Sequence, residues 1–63
     1  DFNGALADYT SSIDLYPTDP ETYYQRGLVK LKLNNNYDAC LDFRKSDELG
    51  SPDAKAAIKK HCK

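Results

Sequence analysis

Apolar positions along this chain recur at three- and four-residue steps in four separate stretches, a spacing that predicts four helices. In the first, Phe2, Ala5, Leu6, Tyr9 and Ile13 share one face, while Asn3, Thr10, Ser11 and Asp14 occupy the other. Asp1 is placed to cap its start, and Tyr16-Pro17 ends it because a residue before proline avoids the α region. Gly4 fits two readings, a close helix–helix approach or a frayed first turn. The second stretch begins more clearly. Asp19 suits the N-cap, Pro20 the first helical position, where no amide donor is needed, and Glu21 the positive end of the helix dipole. Tyr23, Tyr24, Gly27, Leu28, Leu31 and Leu33 then form an apolar surface wide enough to pack on two sides.

Asn34-Asn35-Asn36 interrupts that helix, since Asn competes for backbone hydrogen bonds and tolerates left-handed conformations. In the third stretch Ala39, Cys40, Phe43, Ser46 and Leu49 are expected inside, and Asp38, Asp42, Arg44 and Lys45 are expected to face water. Gly50 is a natural stop. Ser51-Pro52-Asp53 then repeats the starting grammar of Asp19-Pro20-Glu21, and Ala54, Ala57, Ile58 and Cys62 share a face of the fourth helix. The basic run Lys59-Lys60-His61-Cys62-Lys63 at its end complements the helix dipole. The expected spans are 1–15, 20–33, 37–49 and 52–62. The fold class is all-α, with antiparallel helix-turn-helix units and no strand.

Composition narrows the function. Nine Lys plus Arg against ten Asp plus Glu give a net charge of −1, without the positive field of a nucleic-acid surface. No apolar run exceeds three residues, far short of the about 20 that a membrane span requires. A chain of 63 residues buries only about 60% of its unfolded surface, so its stability is marginal. It opens on Asp1 rather than Met and is read as a piece of a longer protein, which leaves cytoplasmic and periplasmic locations open.

The chain also repeats itself. A shift of 34 residues superposes Ala5 on Ala39, Asp8 on Asp42, Tyr9 on Phe43, Ser12 on Ser46, Asp14 on Glu48 and Leu15 on Leu49. A two-helix unit with this period resembles a tetratricopeptide repeat. Tyr23-Tyr24-Gln25-Arg26-Gly27-Leu28 resembles the first helix of such a repeat, with an aromatic residue four positions before a close-packing glycine. Ala39, Phe43 and Ser46 resemble the small–aromatic–small face of its second helix, and residues 2–9 resemble the same helix of a preceding copy. Segments 1–18, 19–50 and 51–63 then read as a partial repeat, a complete repeat and a capping helix. The close resembles the C-terminal end of some bacterial members. The turn at Asn34-Asn35-Asn36 departs from the usual Gly-containing turn and is read as one residue longer.

The resemblance implies protein–protein interaction, with Glu21, Tyr24, Leu28, Leu31 and Lys32 lining a partner-binding face. Core packing is the competing reading for Tyr24, Leu28 and Leu31. The helix-packing set is Gly27, Ala39, Phe43 and Ser46, whose small members let two helices approach. A purely structural cap beside a larger array or neighbouring domain is the alternative function. The unmatched face of Phe2, Leu6, Tyr9 and Ile13 suggests self-association. Catalysis is not expected. His61 is the only histidine and lacks an acid–base partner, and no phosphate loop or His-Glu-x-x-His motif occurs. Cys40, His61 and Cys62 match no zinc spacing, so no metal or cofactor is expected.

Cys40 lies ten residues before Gly50 and Cys62 eleven after Ser51. If the helices flanking that turn run antiparallel, the two cysteines come level and approach each other. Both a disulfide and unbonded packing of two small apolar side chains are compatible with that placement.

Overall fold

The computed structural model describes residues 1–62; Lys63, the end of the basic run, lies outside them. Four helices follow in order: α1 (Phe2–Leu15), α2 (Pro20–Lys32), α3 (Asn36–Glu48) and α4 (Pro52–His61). The described residues contain no strand. Three of the four helix starts use the expected chemistry, while α3 starts without a side-chain cap bond. Asp1 accepts from the amide of Asn3 at 3.2 Å and Asp19 from that of Glu21 at 3.1 Å. Thr22 adds a hydroxyl bond to the second Asp19 oxygen at 3.0 Å, and Ser51 caps α4 by accepting from the Ala54 amide at 3.2 Å. Pro20 and Pro52 occupy the first turns they were expected to open.

The helix ends differ from expectation by a residue, for a common reason. α2 stops at Lys32 and α3 at Glu48, because Leu33 and Leu49 serve as C-caps. The next residue in each case turns left-handed, Asn34 at φ 63° and Gly50 at φ 108°. After α2, the Asn34 amide donates to Leu31 O and the Asn35 amide to Lys30 O. After α3, the Gly50 amide donates to Asp47 O and the Ser51 amide to Ser46 O. Both are Schellman motifs, which satisfy carbonyls a helix end would otherwise leave open. Asn34 therefore does the work of a glycine. Asn36, expected in the turn, is instead the first residue of α3, so the turn keeps its expected three residues but lies one position earlier, at 33–35.

Contacts between α2 and α3 pair early residues of one with late residues of the other, Pro20 with Ser46 and Lys30 with Asp42, so the helices are antiparallel. The same holds for α3 and α4, where Cys40 meets Cys62 and Phe43 meets His61. The core lies on α3. Ala39 and Phe43 are fully buried, joined by Ala57 of α4, with Tyr24, Leu28, Leu31, Ile58 and Cys62 packed around them. Leu49, expected inside, is only half-buried because it caps the helix. α1 has no buried residue, and Gly4 meets only the side chain of Asp1, so no close helix approach occurs there.

Gly27 is where α2 and α3 come closest. A Cβ built on it would lie 2.6 Å from Cε1 of Phe43, whose ring is enclosed and cannot move aside. Gly27→Ala should gain about 1 kcal/mol of helix propensity but lose more to overpacking, for a net destabilisation of about 1–2 kcal/mol. Chemical denaturation of Gly27→Ala, Phe43→Leu and the double variant checks this. The double variant should be more stable than the sum of the two single effects, because Leu leaves room for the added methyl.

Candidate functional site

The five residues proposed for a partner face all lie on α2. Glu21 and Lys32 are exposed at its two ends, about 16 Å apart along the axis at 1.5 Å per residue. Glu21 accepts a bond from Gln25 Nε2 at 2.6 Å, a pairing along the helix surface. Between them Tyr24, Leu28 and Leu31 are half-buried against the Ala39–Phe43–Ala57 cluster, with the Tyr24 and Phe43 ring centroids 5.9 Å apart. The face is thus an apolar strip shared between solvent and core, negative at one end and positive at the other. The packing residues Gly27, Ala39, Phe43 and Ser46 are all buried, and Ser46 Oγ donates to Pro20 O at 2.6 Å. That bond ties the last turn of α3 to the first turn of α2.

The structure corrects the reading of Asp42. Expected to face water, its side chain is 6% exposed and is clamped by two cations of α2. Arg26 donates Nε to Oδ2 and Nη2 to Oδ1, each at 2.8 Å, and Lys30 Nζ lies 3.1 Å from Oδ2. The paired fork is the strong geometry for a guanidinium and a carboxylate. Arg26 also sits over the Tyr23 ring at 5.7 Å and donates Nη1 to Thr10 Oγ1 of α1 at 3.3 Å. Its hydrogen bonds to Asp42 raise the Arg26 pKa, against a smaller opposing effect of burial. A raised pKa of a cation stabilises the fold below the unfolded value, so this contribution fails only in strong alkali.

Of the two readings left open for the cysteines, the bonded one holds: Cys40 and Cys62 form a disulfide with Cα atoms 5.8 Å apart. In the chain-entropy account, closing a loop of this length (22 residues of separation) stabilises by about 3 kcal/mol. The bond lies beside an open depression of about 230 Å³ lined by Asn36, Tyr37, Cys40, Arg44, His61 and Cys62. His61 is exposed but its ring stacks on Phe43, with centroids 6.4 Å apart. A second depression, about 320 Å³, lies at the α3–α4 turn between Asp47, Gly50, Ser51, Pro52 and Lys55. Neither was read from the sequence, since each is built from residues of two helices. Among the described residues no group of three His, Cys, Asp or Glu side chains could hold a metal ion, and no helix is long and apolar enough to cross a membrane.

Comparison with protein-family models, curated proteins and solved structures returned no match.

The Asp42 clamp makes a direct prediction. Asp42→Ala leaves Arg26 and Lys30 facing each other without their anion and should destabilise by about 2–3 kcal/mol. Lys45→Ala, which removes the exposed Lys45–Glu48 pair, should cost less than about 1 kcal/mol. Thermal or urea unfolding of both variants reads the difference.

Proposed function

We propose that this chain is a protein–protein interaction module of the tetratricopeptide-repeat type, using the α2 strip of Glu21, Tyr24, Leu28, Leu31 and Lys32 to contact a peptide or protein surface. One observation carries the reading. The 34-residue internal repeat relates α1 to α3, and α2, which follows α1 in the chain, pairs antiparallel with α3 and closes on it at Gly27 and Phe43. Repeats of this kind stack into surfaces that neighbouring units extend. On this reading the charged ends of the strip orient a partner and the exposed parts of Tyr24, Leu28 and Leu31 supply apolar contact.

The half-burial of Tyr24, Leu28 and Leu31 favours a second reading, a structural cap in which the strip mainly completes the core. The two differ in the role of Glu21 and Lys32, which are exposed and contribute little to the core. Selection of a displayed random-peptide library on the 63-residue chain should enrich binders of about micromolar Kd. Binding should fall at least tenfold in Glu21→Lys/Lys32→Glu with helical content unchanged by circular dichroism. Absence of enrichment, or indifference to the double reversal, argues for the cap.

Self-association is a separate proposal, supported by Phe2 at 47% exposure beside half-buried Leu6, Tyr9 and Ile13. Sedimentation velocity should show a concentration-dependent dimer that Phe2→Ser/Leu6→Ser abolishes. A clean monomer at high concentration contradicts it.

A further inference from the structure

We propose that the Cys40–Cys62 disulfide is a redox latch that holds α4 over the core face of α3, and that its reduction releases α4 while α1–α3 stay folded. The inference goes beyond the binding reading and does not rest on it.

The polar ties of the molecule are unevenly distributed. α1, α2 and α3 are joined by the Arg26–Asp42 fork, Lys30, Thr10 and the Ser46–Pro20 bond. Among the described residues, no salt bridge and no nitrogen or oxygen side-chain hydrogen bond connects α4 to the other helices. α4 is held instead by Ala54 and Ala57, half-buried Ile58, the His61 ring on Phe43, and the sulfur bond. Its buried side chains are mostly single methyl groups, which remove little apolar area from water. A ten-residue helix is also too short to persist alone, so once untied it has no reason to stay formed. The covalent bond sits at the far end of α4 from its hinge at Gly50, where a tether restricts the helix most.

The bond also borders solvent: both cysteines line the open depression with Tyr37, Arg44 and His61, Cys62 half-buried and Cys40 buried. A dithiol reductant attacks one sulfur as its thiolate and forms a mixed disulfide. Its second thiol then closes the reductant's own disulfide. The protein gains two electrons and two protons as two thiols, and the dithiol is oxidised by the same two electrons. Release of α4 withdraws Ala57, Ile58 and Cys62 from the cluster and bares Phe43 and Ala39 beside Leu28 and Leu31.

Hydrogen exchange read by mass spectrometry on the 63-residue chain, with and without dithiothreitol, tests the latch. Reduction should lower the protection of amides in 54–61 by roughly 100-fold, and that of α2 and α3 by less than about tenfold. Cys40→Ala/Cys62→Ala should show the same local pattern without reductant, and reoxidation of the native chain should restore protection. Retained protection of 54–61 in either reduced or doubly substituted protein overturns the proposal. So does joint loss of protection in all four helices, which would make the bond a staple of the whole domain.

Discussion

A buried carboxylate sets the geometry of this molecule. Asp42 lies on the same face of α3 as Ala39, Phe43 and Ser46, so folding removes its charge from water together with the core. An ion cannot be buried cheaply unless its partners come with it. Arg26 and Lys30 meet that demand from adjacent turns of α2, and the two-pronged fork of Arg26 accepts only one relative placement of the helices. One residue further along each helix, Gly27 faces Phe43 at the closest approach of the pair. The charge clamp and the steric contact therefore specify the same register. A slip of one residue would strand the carboxylate and drive the Phe43 ring into a side chain.

The helix ends carry that register into the turns. Asn34 and Gly50 each adopt a left-handed conformation that closes two hydrogen bonds back onto the preceding helix. Because the last turn of α3 is also tied to Pro20 through Ser46, the α3 terminus is fixed from both sides. A domain this small has few apolar residues to bury, and such terminal bonds and caps form a larger share of what orders it. The same economy explains the disulfide on α4, whose alanines alone supply little hold.

Much of this was legible in the sequence, and the failures have a common origin. Three- and four-residue spacing locates four helices, Asp-Pro and Ser-Pro mark two starts, and nearly equal distances from the turn bring Cys40 level with Cys62. Those signals are local, or need only an antiparallel neighbour. The spacing of Asp42 from Ala39 and Ser46 puts it on the inner face, while its charge points to water, and within α3 the two signals conflict. Nothing within α3 reveals the cations that make burial tolerable; they lie 12 and 16 residues away on another helix. The helix ends depart from the apolar spacing for a related reason. Leu33 and Leu49 continue the apolar spacing, but as C-caps they have already left the helical hydrogen-bond pattern. Whether Tyr24, Leu28 and Leu31 face a groove or the core was undecidable from spacing, since a wide apolar stripe serves both.

Asp8 separates what a residue is from what its surroundings make it. It occupies the position of Asp42 in the 34-residue repeat, with Ala5, Tyr9 and Ser12 matching Ala39, Phe43 and Ser46. Yet Asp8 is exposed and Ala5, Tyr9 and Ser12 are only half-buried. The difference lies in the opposing helix: α3 faces Arg26, Gly27 and Lys30, whereas α1 meets α2 through the other side of Arg26, at Thr10. One guanidinium thus reads both helices of the repeat. Its Nε and Nη2 hold the carboxylate of α3, and its Nη1 holds a hydroxyl of α1. Burial of an acidic side chain here is a property of the helix pair, and the matching aspartate of α1 stays in water where the cations of α2 are turned toward α3.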